Sequence, residues 1–319
     1  MIKRMTILMI CLVCLFSNSV IVFAEEDVEL VELRSNTTEV FEYDIIKAEI
    51  EALSKTSVFD KAAKTKIKEI EESVSTKIVS LSSMSKQELI SYGYNEAQIE
   101  IIKKYSGGCL KNNEQLREVL STLTITATPS VAVYTNHIGA AYFKLAIMWT
   151  WSSQPVLSGP LVEDGVGVIW QAINSSGQFV AARINTSESY CNVYYYNSSG
   201  IMQTHTSSSL TVVEQLRNAK AKVPMGVWAS NNVDTYWAKK GGITLRTDRV
   251  SSNYSLFDME YKFAYGHATI SINPKVTVNF ALTNPQQIGV LGSITFTKGQ
   301  KMAEKCFYVD TDDQTVIYY

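Results

Sequence analysis

The sequence contains few of the residues on which most enzymatic chemistry depends. Only three of its 319 residues are histidines, His137, His205 and His267. None of them lies in an HExxH metalloprotease motif, and the chain has no GxSxG motif, phosphate-binding glycine loop or P-loop lysine. We therefore predict no set of catalytic residues, no cofactor and no metal site.

Cysteine is also scarce, with five residues in the whole chain, of which Cys11 and Cys14 lie in an N-terminal apolar segment. The other three, Cys109, Cys191 and Cys306, are too few and too widely spaced for a disulfide scaffold or a zinc site. Cys191 and Cys306 both lie in strand-like runs, and we predict a disulfide between them, with Cys109 free.

The first segment of the chain has the pattern of a signal peptide. Lys3 and Arg4 precede an apolar run that ends in Val22-Phe23-Ala24, ahead of acidic residues. A charged segment, an apolar segment and a small-residue cleavage site are the parts of such a peptide. We predict that residues 1–24 are removed by cleavage between Ala24 and Glu25, and we expect a secreted or cell-envelope protein without a transmembrane anchor.

The chain lacks an excess of positive charge. Residues 1–24 contain two basic residues and no acidic one, so that 27 basic and 31 acidic residues remain without them. This balance gives no electrostatic basis for binding nucleic acid. Residues 25–108 carry 11 basic and 17 acidic residues, whereas residues 109–319 carry 16 and 14. The change falls near Gly107-Gly108, and we predict a domain boundary there.

Residues 25–108 have helical periodicity. Apolar residues from Phe59 to Leu81 are spaced three or four apart and have a charged opposite face. This stripe predicts a helix of a small bundle, with a coiled coil or partner-binding helix as the alternative. Capping-box spacing predicts helix starts at four pairs of residues: Asn36 with Glu39, Ser57 with Asp60, Ser85 with Glu88, and Asn95 with Gln98.

From Leu123 onward the apolar period changes from 3.6 to 2. Large apolar residues alternate with smaller or polar ones in residues 143–151, 257–265 and 276–282. Such alternation indicates antiparallel sheets with one buried face. Together with the helical pattern it predicts an α+β protein, in which the N-terminal helical region precedes a large antiparallel β-sandwich at residues 109–319; a β-barrel is the alternative.

The segment SYCNVYYYNSSG, residues 189–200, has three consecutive tyrosines. Strand alternation places Cys191 and Tyr195 on the buried face and Tyr194 and Tyr196 on the solvent-facing one. Aromatic rings beside hydroxyl and amide groups suit sugar binding, because sugars stack on rings and exchange hydrogen bonds. We therefore predict Tyr194 and Tyr196 as candidate ligand-binding residues.

Two segments, LISYGYNEAQIEIIKKY and YGHATISINPKVTVN, resemble parts of uncharacterised secreted proteins of Gram-positive bacteria. They cover a small fraction of the chain, and the resemblance implies export but no particular activity. Together with the composition it favours a non-enzymatic binding module for a glycan or a surface protein. The alternatives are a secreted hydrolase with a site assembled from loops, and a β-rich pore-forming protein.

Overall fold

The fold is known from a computed structural model. It describes residues 28–32, 36–56, 60–105, 114–134, 140–156, 158, 160–214, 217–251, 253, 256, 258–267, 276–277, 279–283, 293–298, 300–310 and 315–318. The predicted cleavage site between Ala24 and Glu25 lies outside these residues.

The described helices form a small N-terminal group. Two of the predicted capping boxes are confirmed: Ser85 and Glu88 cap one helix, and Asn95 and Gln98 cap the next. The long helix has Asp60 as its N-cap, with the carboxylate accepting from the Ala62 N–H. The helices are α1 (Glu42–Thr56), α2 (Lys61–Ser83), α3 (Lys86–Ser91), α4 (Glu96–Lys104) and α5 (Leu116–Val119). None of them combines the length and the apolar composition needed to cross a bilayer.

The first predicted helix start is wrong. Asn36–Phe41 is a strand, and helix α1 begins after it at Glu42. Residues 36–41 pair in antiparallel register with residues 122–127, from Asn36 opposite Ala127 to Phe41 opposite Thr122. Pairing with the neighbouring strand gives the backbone N–H and C=O groups of residues 36–41 hydrogen-bond partners, so that a helix cap is not needed to supply them.

The strands in the described residues form two large sheets and a two-stranded one. The strands are β1 (Val28–Glu32), β2 (Asn36–Phe41), β3 (Thr122–Tyr134), β4 (Ala140–Trp151), β5 (Val162–Ile173), β6 (Phe179–Val180), β7 (Ala182–Ile184), β8 (Tyr190–Tyr196), β9 (Met202–Ser209), β10 (Thr211–Glu214), β11 (Asn218–Pro224), β12 (Gly226–Trp228), β13 (Thr235–Arg249), β14 (Asp258–His267), β15 (Val276–Thr277), β16 (Asn279–Thr283), β17 (Ser293–Lys298), β18 (Gln300–Asp310) and β19 (Thr315–Tyr318). The first sheet has the order β1-β3-β4-β13-β8-β9, with β2, β7 and β12 paired beside it, and the second has the order β10-β11-β5-β14-β18-β19. The pairs are antiparallel, apart from a short parallel pair between β5 and β15.

The two large sheets share one apolar core, which makes the fold α+β and sandwich-like. The core contains Phe143, Leu145 and Trp149 from the first sheet together with Trp170 and Phe263 from the second. The alternation predicted for residues 143–151 is confirmed, because these apolar side chains of β4 are buried. Burial of so many large side chains between sheets is the main stabilising contribution.

The helices have a second core, built from α1 to α5. Helix α5 belongs to it although it follows the predicted boundary at residue 108, and strands β1 and β2 precede that boundary although they pair with β3. The change from helix to sheet is therefore not a single point in the chain. That the two regions separate as domains stays a prediction.

The pair Gly241-Gly242 lies in the middle of strand β13. A Cβ atom added to Gly241 would lie 2.3 Å from Cζ2 of Trp149, and one added to Gly242 would lie 2.3 Å from Sδ of Met148. Both glycines therefore leave room for large side chains of the neighbouring strand β4. A pair of glycines is typical of a turn in a sequence, but here it serves packing within a sheet.

Candidate functional site: the tyrosine face of the first sheet

Strand β8 has the two faces that the sequence predicts. Cys191, Val193 and Tyr195 are buried. Tyr190 is 37% exposed, and Asn192, Tyr194 and Tyr196 are partly exposed on the opposite side of the strand. We call the outer surface formed by Tyr190, Asn192, Tyr194 and Tyr196 and the residues opposite them the tyrosine face. The predicted directions of Tyr194, Tyr195 and Tyr196 are thus confirmed, whereas their role in binding stays a prediction.

Strand β9 covers one side of β8 and adds polar groups to the tyrosine face. His205 lies opposite Tyr194, and their rings stack with centroids 5.8 Å apart and planes inclined by 26°. Ser207 lies opposite Asn192 in the same register. Since residues directly opposite each other share a face of the sheet, hydroxyl, amide and imidazole groups stand beside the tyrosine rings.

Strand β13, on the other side of β8, contributes two lysines through an irregularity in its register. Ala238 lies opposite Tyr195 and Lys240 lies opposite Tyr194, so that Lys239 is an extra residue between two paired ones. Such a β-bulge redirects side chains and bends the strand locally. Here it brings Lys239 onto the tyrosine face, next to Lys240.

The ammonium group of Lys239 lies among aromatic rings. Its Nζ atom is 5.8 Å from the ring centroid of Tyr196 and 5.9 Å from that of Trp237, which lies opposite Tyr196. The negative faces of aromatic rings attract a cation at such distances. Partial burial, and then the neighbouring charge of Lys240, lower the pKa of Lys239.

No carboxylate among the described residues forms an ion pair with Lys239 or Lys240. Elsewhere on the first sheet the cation of Arg246 is paired with Glu188 and Asp248. Among the described residues the two positive charges on the tyrosine face therefore have no carboxylate ion-pair partner, in a protein whose acidic residues outnumber its basic ones. Sequence reasoning missed this feature, since the only available signal was the pair of adjacent lysines beside Trp237.

A second polar cluster lies where the helices meet the sheets, around His267 at the end of β14. Its Nδ1 atom lies 2.9 Å from Oδ2 of Asp164, which also accepts a 2.7 Å hydrogen bond from the Tyr265 hydroxyl. Its Nε2 atom has no hydrogen-bond partner among the described residues and lies 3.8 Å from Oε1 of Glu42, the first residue of α1. The Glu42 carboxylate in turn accepts from the N–H groups of Ser121 and Val156.

The charges of this cluster are buried together. Burial raises the pKa of Glu42, although His267 and the two backbone N–H groups act against that rise. Burial alone would lower the pKa of His267, but Asp164, Glu42 and Glu49 outweigh it, and the pKa of His267 is raised. Because His267 is 3% exposed and Asp164 is fully enclosed, a ligand cannot reach them without opening the fold. We interpret the cluster as a structural connection between the helices and the sheets.

The segment Glu163-Asp164-Gly165 lies within β5, where Asp164 is fully buried. Gly165 lies opposite Gly266 of β14.

The predicted disulfide between Cys191 and Cys306 is not formed, because Cys191 is a free, buried thiol. Cys191 lies in β8 of the first sheet, opposite Ile243 and Ser208. Cys306 lies in β18 of the second sheet, opposite Lys262. Burial raises the pKa of the Cys191 thiol to about 12, which makes it a core residue without nucleophilic character.

A metal site is not found among the described residues, since no group of three or more histidine, cysteine, aspartate or glutamate side chains is placed to hold an ion.

Comparisons with known proteins do not assign the chain to a family. No family model and no curated protein matches it. Similar solved structures include a pore forming protein, with 9% identity, coverage of 62% of this chain and 84% of that one, and a TM-score of 0.22. They also include the collagen-binding domain of a Staphylococcus aureus adhesin, with 8% identity, coverage of 43% and 85%, and a TM-score of 0.21. The KRT10-binding region domain of the pneumococcal serine rich repeat protein PsrP has 8% identity, coverage of 56% and 89%, and a TM-score of 0.21. No functional inference follows from similarities this low.

Proposed function

We propose that the mature chain is an exported, non-enzymatic binding module that holds a glycan on the tyrosine face. The observation that carries the proposal is the combination of Tyr194 and Tyr196 with polar side chains on one partly exposed sheet face. Sugars have apolar C–H faces that stack on aromatic rings and hydroxyl groups that exchange hydrogen bonds. Asn192, His205 and Ser207 supply such hydrogen-bonding groups beside the rings.

The tyrosine face is open to solvent on the side of β9. All residues of β9 are exposed, and β9 is the last strand of the first sheet in the described part of the chain. A ligand can therefore approach the rings of Tyr194 and Tyr196 from above and from the side of β9. A surface protein is the alternative ligand that this open face would admit.

Truncating the tyrosines should weaken glycan binding. We expect Tyr194→Ala and Tyr196→Ala each to lower affinity by about two- to twelve-fold, because a ring contact contributes about 0.5–1.5 kcal/mol. Binding would be measured on a glycan array with the mature chain, followed by titration calorimetry with a bound glycan. Tyr194→Phe keeps the ring and should retain most of the affinity.

Phe179→Ala is the matched control, because Phe179 is a partly exposed aromatic residue of β6 in the second sheet and lies outside the tyrosine face. Its loss should change affinity less than two-fold. An array with no bound glycan would contradict the proposal. Release of cleaved sugar from a bound glycan would instead support the hydrolase alternative.

Export of the chain is a separate prediction. If residues 1–24 are a signal peptide, the protein recovered outside the producing cell should begin at Glu25. Terminal sequencing or intact mass of that material measures the start of the chain. Exported protein that still contains the apolar run from Met5 to Val22 would show that the segment is an anchor.

A further inference from the structure

We propose that the ligand of the tyrosine face is an acidic glycan, and that Lys239 and Lys240 recognise its carboxylate or sulfate groups. This inference rests on the proposed function and names the class of sugar. It starts from the β-bulge in β13, which places both lysines beside the tyrosine rings where regular alternation would have turned one of them toward the core.

The two lysines differ in what they offer to an anion. The Nζ atom of Lys239 lies 5.8 Å from the ring centroid of Tyr196 and 5.9 Å from that of Trp237, and the residue is partly buried, so that part of its hydration is already lost. A charged group that is positioned and partly desolvated before binding loses less free energy when an anion contacts it. Lys240 is exposed, opposite Tyr194, and adds a second positive charge one residue away.

The pattern fits a charged sugar better than a neutral one. Tyr194 and Tyr196 provide ring surfaces for sugar faces, and the lysines lie beside these rings rather than apart from them. A pyranose ring with an equatorial carboxylate or sulfate presents a flat C–H surface and an anionic group on the same sugar unit. Neither lysine has a carboxylate partner among the described residues that such an anion would need to displace.

An anionic membrane surface would also attract lysines flanked by aromatic residues. The neighbouring strand β9 favours the sugar, because its residues from Gln203 to Ser209 are polar and exposed, whereas interfacial binding requires a buried apolar face. We therefore make lipid binding an outcome of the test.

The test compares a polyuronic acid with the same polysaccharide after reduction of its carboxyl groups to alcohols. We expect the mature chain to bind the acidic form at least ten-fold more tightly, with a preference that decreases as salt rises from about 50 to 500 mM. Lys239→Gln and Lys240→Gln should each weaken binding of the acidic form by about five- to ten-fold and leave any binding of the reduced form unchanged. Lys239→Arg should retain most of the affinity.

Lys64→Gln is the matched control, since Lys64 is an exposed lysine of α2 far along the chain from β13. Equal binding of both polysaccharides, abolished by Tyr194→Ala but unaffected by the lysine variants, would overturn this inference and leave the proposed function standing. Binding of neither polysaccharide would overturn it as well, and a glycan array without a hit would then remove the proposed function too. Binding to phosphatidylserine vesicles, with no binding to the polyuronic acid, would show that the lysines serve a membrane instead.

Discussion

Replacing Asp164 by alanine should lower the free energy of unfolding by about 3–5 kcal/mol near neutral pH. The Asp164 carboxylate accepts from the Tyr265 hydroxyl and lies within hydrogen-bond distance of Nδ1 of His267, and all three residues are buried. Its loss leaves a buried hydroxyl and a buried imidazole without their partner, and water cannot replace it in a closed core. Chemical denaturation of the variant and the unmodified protein measures the cost.

Part of the stability that Asp164 contributes comes from its charge and depends on pH. Asp164→Asn isolates this part, because the amide keeps the shape of the side chain and one acceptor oxygen. The pKa of His267 is raised in the folded protein, despite the opposing effect of burial, chiefly by Asp164. The folded state therefore holds the proton more tightly than the unfolded chain, in which a histidine titrates at about 6.5. The resulting stabilisation is fully present below about pH 6.5 and is lost as pH rises through the raised folded-state pKa.

The free-energy difference between the unmodified protein and Asp164→Asn should accordingly shrink as pH rises from about 6.5 through the raised folded-state pKa of His267. Burial also raises the pKa of Glu42, so that the folded state binds this proton more tightly than the unfolded chain does. The stabilisation from Glu42 is therefore also lost as pH rises, but at lower pH than that from His267. His205→Gln, at an exposed position in β9, serves as the control for loss of a histidine. A difference that stays constant across this range would show that His267 is neutral throughout and that the ion pair with Asp164 does not form.

The second large effect is expected at Tyr195. Truncation to alanine removes a fully buried ring from the core between the sheets, and such changes cost about 3–5 kcal/mol. Its hydroxyl also donates to the Pro224 carbonyl of β11 at 3.3 Å, and thereby joins the first sheet to the second. Denaturant unfolding of Tyr195→Ala tests the size of the effect.

Two variants separate the parts of the Tyr195 contribution. Tyr195→Phe keeps the ring and should cost about 1 kcal/mol, the usual net contribution of one hydrogen bond. Tyr194→Ala removes a neighbouring ring that stacks on His205 outside the core and should cost about 1 kcal/mol or less. If Tyr194→Ala were as destabilising as Tyr195→Ala, the tyrosine face would be packed against something and would not be open to a ligand.

The features that the sequence by itself determined depend on residues close together in the chain. The apolar stripe from Ala63 to Leu81 predicts α2, and the Ser85–Glu88 and Asn95–Gln98 pairs predict the N-terminal caps of α3 and α4. Strand alternation gave the two faces of β8 in the same way. Helical and strand periods are properties of the local backbone, so that they can be recognised before any tertiary contact is known.

Only the tertiary structure decided the features that require distant partners. Asn36 lies in a strand rather than a helix cap because β3, some ninety residues later, offers its edge. Asp164 meets His267 because β5 and β14 are adjacent, although the two residues are 103 positions apart in the chain. Lys239 reaches the tyrosine face because the register of β13 against β8 slips by one residue. Pairing, burial of charge and register are set by which strands become neighbours, and no local pattern in the sequence contains that information.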